Sequence, residues 1–417
     1  MRTVAQHQEA VRDLLAPFVD RDPMIVSGVT ASALAESGDS HRVLAAPVDS
    51  PINLPPFDNS QMDGYAVRTA DIVPGVSLRV AAPIAAGAGI RSLEPRSVAP
   101  IMTGAPIPIG ADAIIPIEAA LPPRFPPASV PATVAFLRVP EVGAFVRRRG
   151  SDVPAGTRLL PAGRALGPAQ WGTVAASGVT ELAFKRPINV LVLSTGDELR
   201  AGGAPLAPGQ IYDANGMSLA IALAECHAIV ESVLVVRDDV AAASRVLADH
   251  GPWADLILTT GGVSAGAYEV VRDLFVGAGV VFDSVLMQPG GPQGIGMASF
   301  AASGQALERP LIAFPGNPVS ALVSFEVFLR PVLRELHGLP PARPRHRAPL
   351  ADALDSPEGK HQVRRGTLNA AGEVELIGGP GSHLLHSYAQ STLLVHIPVG
   401  VSHLDAGDPV EVWNISD

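Results

Sequence analysis

The sequence predicts a multidomain α/β protein built around a parallel sheet with helices on both faces. Three observations lead there. Between residues 188 and 336, apolar strands, glycine-bearing loops and helical stretches alternate, the pattern of strands joined by crossover helices. The 417 residues exceed what one hydrophobic core usually organises, so about two to four domains are expected. On either side of the alternating stretch, short apolar runs broken by proline and glycine read as β-rich domains.

Taken in order, residues 3–18 place Val4, Val11, Leu14, Leu15 and Phe18 near helical spacing, which predicts an amphipathic helix. A second helix is expected over 29–37. From 47 to 140 the runs SLRVAAPIA, VAPIMTG and ATVAFLRV alternate with breakers and predict an all-β insertion. A helix over 168–177 would rejoin the N-terminal helices and make the first domain discontinuous. The expected division is therefore 1–46 with 141–181 as a discontinuous helical scaffold, 47–140 as a β-rich insertion, 182–338 as the α/β domain and 339–417 as a small C-terminal β-barrel. The proline- and arginine-rich PPARPRHRAP marks the last boundary.

The most unusual stretch is FDNSQMDGYA (57–66). It holds Asp58, Asp63, Asn59, Ser60 and Tyr65, with Gly64 directly after an acid. It follows Leu54-Pro55-Pro56, a stiff extended lead-in. It is too polar for a core strand and lacks helix signals, so it reads as a held loop of the kind that carries function. As residues alone, Asp63-Gly64 serves equally well as a hairpin tip. Two later stretches have the same double reading. Thr103-Gly104, in PIMTGAPIPIGADAIIPIE (100–118), either offers a hydroxyl and N–H groups to an oxyanion or makes a simple turn. Arg147, Arg148 and Arg149 beside Asp152 are either phosphate donors next to a carboxylate or a solvated charge run.

In the α/β region, INVLVLSTGDEL (188–199), SVLVVRDD (232–239), ADLILTTGG (254–262) and PLIAF (310–314) read as strands buried on both faces. VVFDSVLMQPGGPQGIGMAS (280–299) reads as a strand followed by a loop. Ligands of such sheets sit beyond the carboxyl ends of the strands. That is where Thr195-Gly196-Asp197-Glu198, Gly261-Gly262-Val263-Ser264 and Pro315-Gly316-Asn317-Pro318 fall. The second loop opens a helix, whose free N–H groups favour a phosphate. One such loop is a tight turn as readily as a site, but three on successive strands point to an anionic ligand.

Composition limits the function classes. Hydrophobic residues are 47% and charged residues 17% of the chain, enough apolar material for packed cores. The net charge of −10 argues against a nucleic-acid partner. No apolar run is long enough to span a membrane, despite a mean hydropathy of +0.28. The N-terminus has no apolar signal-peptide core, so a cytoplasmic location is expected. The lone Cys226 excludes an internal disulfide and a cysteine-cluster metal site. Basic residues are nearly all arginine, Lys185 and Lys360 being the only lysines.

FDNSQMDGYAV, with the TGAP block at 103–106, the RRRGSD block at 147–152, the three glycine loops and GPGSHLLHS (379–387), resembles the MoeA-type molybdopterin molybdotransferases, the family that includes the gephyrin E domain. The matching blocks spread over nearly the whole chain. The resemblance implies an α/β domain similar to the MogA-type adenylyltransferases, and an enzyme that inserts molybdenum from molybdate into adenylylated molybdopterin and releases AMP. It implies magnesium as a cofactor, a homodimer with its site shared between subunits, and a MogA-type adenylyltransferase as partner. Carried over residue by residue, it gives Asp63, Thr103, Asp152, Glu198, Asp238 and Glu269 as catalytic residues. Glu198 and Asp63 are the expected metal-binding pair. Ser194, Thr195, Gly196, Asp197, Gly261, Gly262, Ser264, Gln288, Pro315, Gly316, Asn317, Pro318 and Ser382 are the expected ligand-binding residues.

The chain departs from the family pattern twice. Where the family's loop reads like KPGKP, this chain has Gln288-Pro289-Gly290-Gly291-Pro292, without either lysine. Glu269 stands where an aspartate is usual. Gln288 still offers two N–H donors, but two lost charge-assisted contacts are worth roughly 1.5–3 kcal/mol each. Two other readings therefore stand beside the enzyme: a pterin-binding paralogue or carrier without chemistry, and a CinA-like nucleotide pyrophosphatase. The second leaves FDNSQMDGYA, TGAP and RRRGSD unexplained.

Overall fold

The computed structural model describes residues 1–28, 42–127, 130–230, 233–237, 239–263, 270–277 and 279–416. The expected helix over 29–37 lies outside the described residues. The chain forms two compact units: Met1–Met24, His41–Val43 and Lys185–Asp417 in the larger, Ile25–Ser40 and Leu44–Phe184 in the smaller. Among the described residues no helix is long and apolar enough to cross a membrane.

The first helix, α1 (Val4–Leu15), begins in a capping box. The Thr3 hydroxyl accepts from the Gln6 N–H at 3.2 Å and the Gln6 side chain accepts from the Thr3 N–H at 2.9 Å. Val11 and Leu15 are its buried apolar residues, and they lie in the core of the larger unit.

The smaller unit is β-rich, as its broken apolar runs predict. Its main sheet comprises β1 (Gly64–Val67), β2 (Leu78–Val80), β3 (Ser97–Ile101), β4 (Ala113–Pro116), β5 (Ala120–Leu121) and β6 (Thr133–Phe136), in the order β4-β1-β3-β2-β6-β5. Tyr65, Val98, Val134 and Phe136 fill one of its cores. The unit also holds α2 (Pro168–Ser177), which starts on a proline and ends at Gly178 in the left-handed conformation.

The larger unit carries the α/β sheet. Its strands are β7 (Ile188–Thr195), β8 (Ala228–Ile229), β9 (Val233–Val236), β10 (Leu256–Thr260), β11 (Val280–Ser284), β13 (Pro292–Ala302) and β14 (Gln305–Phe314); β12 (Met287–Gln288) belongs to a second sheet. The order is β8-β7-β10-β14-β13-β11, with β9 also on β7. Alternate residues serve opposite cores. Val190, Val192, Leu256, Leu258, Ile312 and Phe314 face one apolar cluster, and Leu191, Leu193, Ile257, Leu311 and Ala313 face the other. This is the period-two burial of a strand covered on both sides. One cover includes α1, α3 (Asn215–Ala224), α6 (Pro318–Ser324) and α7 (Arg330–Leu336). The other includes α4 (Val240–His250) and α5 (Val270–Phe275).

One expectation is corrected. The segment GPQGIGMAS is the front of the eleven-residue strand β13, paired antiparallel with both β14 and β11. The sheet is therefore parallel from β8 to β14 and antiparallel beyond. Gly294 and Gly296 lie where neighbouring strands crowd: a Cβ on Gly294 would be 2.7 Å from the Phe282 ring, and one on Gly296 would meet the Gly279 carbonyl. These close-approach glycines make the strand look like a loop in sequence.

Between α6 and α7 the helix continues through a π-turn (Phe325–Leu329) that buries Glu326. Past Leu339, five strands, β15 (Arg345–Pro349), β16 (His361–Leu368), β17 (Val374–Leu376), β18 (Leu393–Ile397) and β19 (Pro409–Asn414), join β12 in a six-stranded sheet. A two-stranded pair, Leu354–Asp355 with His403–Leu404, closes over the same core.

Candidate functional site

In the smaller unit, three separate sequence blocks meet. Val146 and Arg147 pair antiparallel with Ser60 and Asn59. The Ser60 N–H donates to Ala105 O at 3.0 Å and the Gly104 N–H donates to Ser60 O at 2.9 Å. FDNSQMDGYA, TGAP and RRRGSD thus form one backbone-bonded patch. Asp58 clips it, accepting from the Arg149 N–H at 2.7 Å and from Arg148 Nη1 at 2.8 Å. The Arg149 N–H, opposed by desolvation and helped by Arg148, holds the Asp58 carboxyl below its usual value of 3.8. Arg148 is thus an ion-pair partner of Asp58.

Asp63 and Thr103 come together directly. One Asp63 oxygen accepts from the Thr103 N–H at 2.7 Å and from its hydroxyl at 2.8 Å. The backbone donor, then the hydroxyl, lower the Asp63 pKa. Asp152 joins the patch through its N–H, which donates to Leu54 O at 3.0 Å. Gly64 is no turn tip. It opens β1, where any Cβ would run into the Ile115 carbonyl. Tyr65 is a core residue, its hydroxyl donating to Arg124 O at 2.9 Å.

In the larger unit, the three glycine loops and the 288–292 turn line one cavity of about 1120 Å³. Thr195, Gly196 and Glu198 come from the end of β7, Gly261 and Gly262 from the end of β10, and Pro315, Gly316, Asn317 and Pro318 from the end of β14. Glycine makes this convergence possible. Gly261 has φ +87°, and a Cβ there would sit 2.7 Å from Thr195 O; a Cβ on Gly316 would touch the Gly261 Cα at 3.3 Å. Asn215 Nδ2 ties the third loop by donating to Gly316 O at 2.7 Å. The 288–292 turn is held from behind. Gln293 Nε2 donates to Gly290 O and Ser324 Oγ, both at 2.8 Å.

Gln288 and Ser382 also line the cavity, Ser382 through a turn whose carbonyl accepts from the Val319 N–H at 3.0 Å. Ser194 lies inside the sheet, accepting from Thr260 Oγ1 at 3.3 Å. Asp197 stands outside the lining, with Arg237 at 3.5 Å. Asp238, Ser264 and Glu269 lie outside the described residues. Glu198 is the only carboxylate among the described lining residues. The lining also contains Asn215, Ser284, Ser320, Lys360 and His383, which sequence reasoning did not select. The rarity of lysine in this chain was the one signal that pointed to Lys360.

This arrangement suits a large polyanion. Glycine N–H groups, an asparagine and an ammonium surround a cavity whose described lining carries one negative charge, beyond the carboxyl ends of a parallel sheet.

Similarity to known proteins accounts for the entire chain. Residues 2–178 match the MoeA N-terminal region (domain I and II), 191–335 a probable molybdopterin binding domain, and 347–415 the MoeA C-terminal region (domain IV). Molybdopterin molybdenumtransferase 2 of Mycobacterium tuberculosis is 43% identical, with all of both chains covered. Molybdopterin molybdenumtransferase of Haemophilus influenzae is 33% identical over 89% of this chain and 91% of its own. The crystal structure of the molybdopterin biosynthesis moea protein from Pyrococcus horikosii superposes with a TM-score of 0.76 at 27% identity, over 100% of this chain and 99% of that one. The chain belongs to the MoeA family.

Proposed function

We propose that the protein is a molybdopterin molybdotransferase of molybdenum cofactor biosynthesis. It takes adenylylated molybdopterin and molybdate, leaves molybdenum on the dithiolene and releases AMP. The observation that carries this reading is the single cavity where three strand-end glycine loops meet Glu198, in a chain 43% identical over its full length to a protein named molybdopterin molybdenumtransferase 2. A non-catalytic carrier or a nucleotide pyrophosphatase is not favoured, because the similarity includes the 57–66, 103–106 and 147–152 blocks as well as the α/β domain.

In this reading Gly261, Gly262 and the Pro315–Pro318 turn hold the pyrophosphate and pterin end through backbone N–H groups and Asn317. Gln288 and Ser382 contact the oxyanion. Glu198 orients the water that opens the phosphoanhydride or takes up its proton. Asp63, which Thr103 holds, and Asp152, Asp238 and Glu269 are the further catalytic residues of this proposal. The division into 1–46 with 141–181, 47–140, 182–338 and 339–417 is part of the same proposal, as are a homodimer with a shared site, a cytoplasmic location and a MogA-type adenylyltransferase as supplier.

Magnesium fits as a cation brought in with the substrate. Among the described residues no group of three histidine, cysteine or acidic side chains could hold a metal ion. A Mg²⁺ bound by one or two carboxylates plus substrate phosphates needs no such group. Glu198 would hold it from the cavity, and Asp63 is the proposed second ligand. When bound, the ion would neutralise the pyrophosphate charge. The reading is tested by incubating the protein with adenylylated molybdopterin, Mg²⁺ and molybdate and measuring AMP. Accumulation of AMP is expected; intact adenylate after prolonged incubation would overturn the proposal.

A further inference from the structure

A row of polar side chains crosses one face of the C-terminal sheet. His396 of β18 stands opposite Val363 of β16 on one side and Glu411 of β19 on the other, and Glu411 stands opposite Arg347 of β15. Directly opposite residues share a face, and His361, two positions before Val363, lies on it too. With Pro398 and Pro409, these groups line a small cavity of about 220 Å³ that shares none of its lining residues with the large one.

His361 Nε2 and His396 Nδ1 are 2.9 Å apart. One hydrogen joins them, so the neutral pair has a donor ring and an acceptor ring. His396 is 4% exposed, and its ring stacks on Trp413 at a centroid distance of 4.0 Å. Its Nε2 is buried and has no hydrogen-bond partner among the described residues. The nearby carboxylate is committed elsewhere: Glu411 Oε1 accepts from Trp413 Nε1 at 2.8 Å, and the Arg345 guanidinium lies over the Trp413 ring. A proton added to the pair therefore turns its acceptor into a second donor and puts charge beside a buried ring that no carboxylate contacts.

The pair stands at a seam. His361 is the first residue of β16, and its N–H donates to Leu286 O at 2.9 Å. It pairs in parallel with Met287 of β12, and Gln362 with Gln288. Gln362 Nε2 also donates to Gln288 Oε1 at 2.8 Å. The seam thus holds the chain that runs into the 288–292 turn, one wall of the large cavity.

We propose that the His361–His396 pair is an acid-sensitive clasp: with both rings neutral it fastens the start of β16 to β18 and keeps the β12–β16 seam closed, and a proton taken up by the pair loosens the seam and the cavity wall built on it. Burial lowers the pKa of both imidazoles from the usual 6.5. The Glu411 charge partly opposes this at His361, whereas His361 and Arg345 add to it at His396. Rings freed by opening return to about 6.5, so the open seam binds more protons than the closed one. The clasp's contribution is fully present above 6.5 and is lost as pH falls below it toward the folded-state values.

The test is amide hydrogen exchange of the full chain between pH 7.5 and 5.5, corrected for the intrinsic pH dependence of exchange. His7 and His337 are also held below 6.5 by burial, so acid lowers overall stability as well, and the seam segments 285–288 and 361–364 are read against β7 and β10. In wild type, seam protection should fall about tenfold more than that of β7 and β10, the effect of one histidine regaining its ordinary pKa. His361→Gln with His396→Asn, which puts amides in place of the two bonded nitrogens and takes up no proton, should lose this excess. Glu411→Gln keeps an acceptor for Trp413 and removes the charge that favours a proton on His361, so the loss should begin at lower pH. Seam protection that follows β7 and β10 in wild type, an undiminished excess in the double variant, or an onset in Glu411→Gln at the same or higher pH would each overturn the proposal.

Discussion

One carboxylate oxygen of Asp63 accepts both the backbone N–H of Thr103, at 2.7 Å, and the hydroxyl of the same residue, at 2.8 Å. The two residues are forty positions apart in sequence, and the pair pins FDNSQMDGYA to TGAP. The lowered Asp63 pKa follows from these two donors. Thr103→Val removes the hydroxyl and keeps the N–H, so the Asp63 pKa should move partway up toward 3.8 while staying below it. Carboxyl-carbon NMR titration measures this. A value unchanged from wild type would remove the hydroxyl from the account.

Acid should release the neighbouring clip. The folded-state pKa of Asp58 lies below its usual 3.8. Its contribution to stability is therefore fully present above 3.8 and is lost as pH falls through the lower, folded-state value. Asp58→Asn should abolish this step without changing stability's response to pH above about 5. Melting temperature against pH for the two proteins provides the comparison.

Glycines at the cavity have separable roles. A Cβ on Gly261 would meet Thr195 backbone, and the residue has φ +87°. Gly261→Ala should cost about 1–3 kcal/mol of stability. A Cβ on Gly196 would instead meet the movable Glu198 carboxylate at 2.5 Å. Gly196 has φ +156°, so Gly196→Ala should also lower the melting temperature, and it should in addition reduce AMP release by displacing Glu198. AMP release by Gly196→Ala equal to that of the wild type would contradict this reading.

Beneath the cavity-forming helix, Glu326 accepts from Arg343 Nη2 at 2.8 Å and Nε at 3.0 Å, and Arg330 lies 3.7 Å away. Glu326 and Arg343 are both nearly buried, and the pair ties the π-turn to the start of the C-terminal part. Glu326→Ala removes the buried carboxylate that these two guanidinium groups share and should cost about 3–5 kcal/mol. Glu326→Leu with Arg343→Leu should cost less. Chemical denaturation compares them.

The parallel half of the sheet was legible because β7, β10 and β14 are apolar runs ending in glycine loops, which only a doubly covered strand produces. The β13–β14 hairpin was not, because Gly294 is required by the Phe282 ring and Gly296 by the Gly279 backbone, and both mimic a loop. At the site, strand ends announced Thr195, Gly261 and Gly316. Lys360 was hidden because β16 reaches the cavity by pairing with β12, across more than seventy residues of sequence that carry no local sign of it. The clipping of Asp58 by Arg148 was hidden for the same reason: motif spacing identifies blocks, and only the folded register shows which block each arginine serves.

The most direct test of the central claim is AMP release from adenylylated molybdopterin with and without molybdate, in wild type and in Glu198→Ala. Molybdate-dependent release that falls about a hundredfold or more in the variant is expected, the loss typical of a positioned acid–base group. Equal release by the two proteins, or no molybdate-dependent release by wild type, would contradict the account.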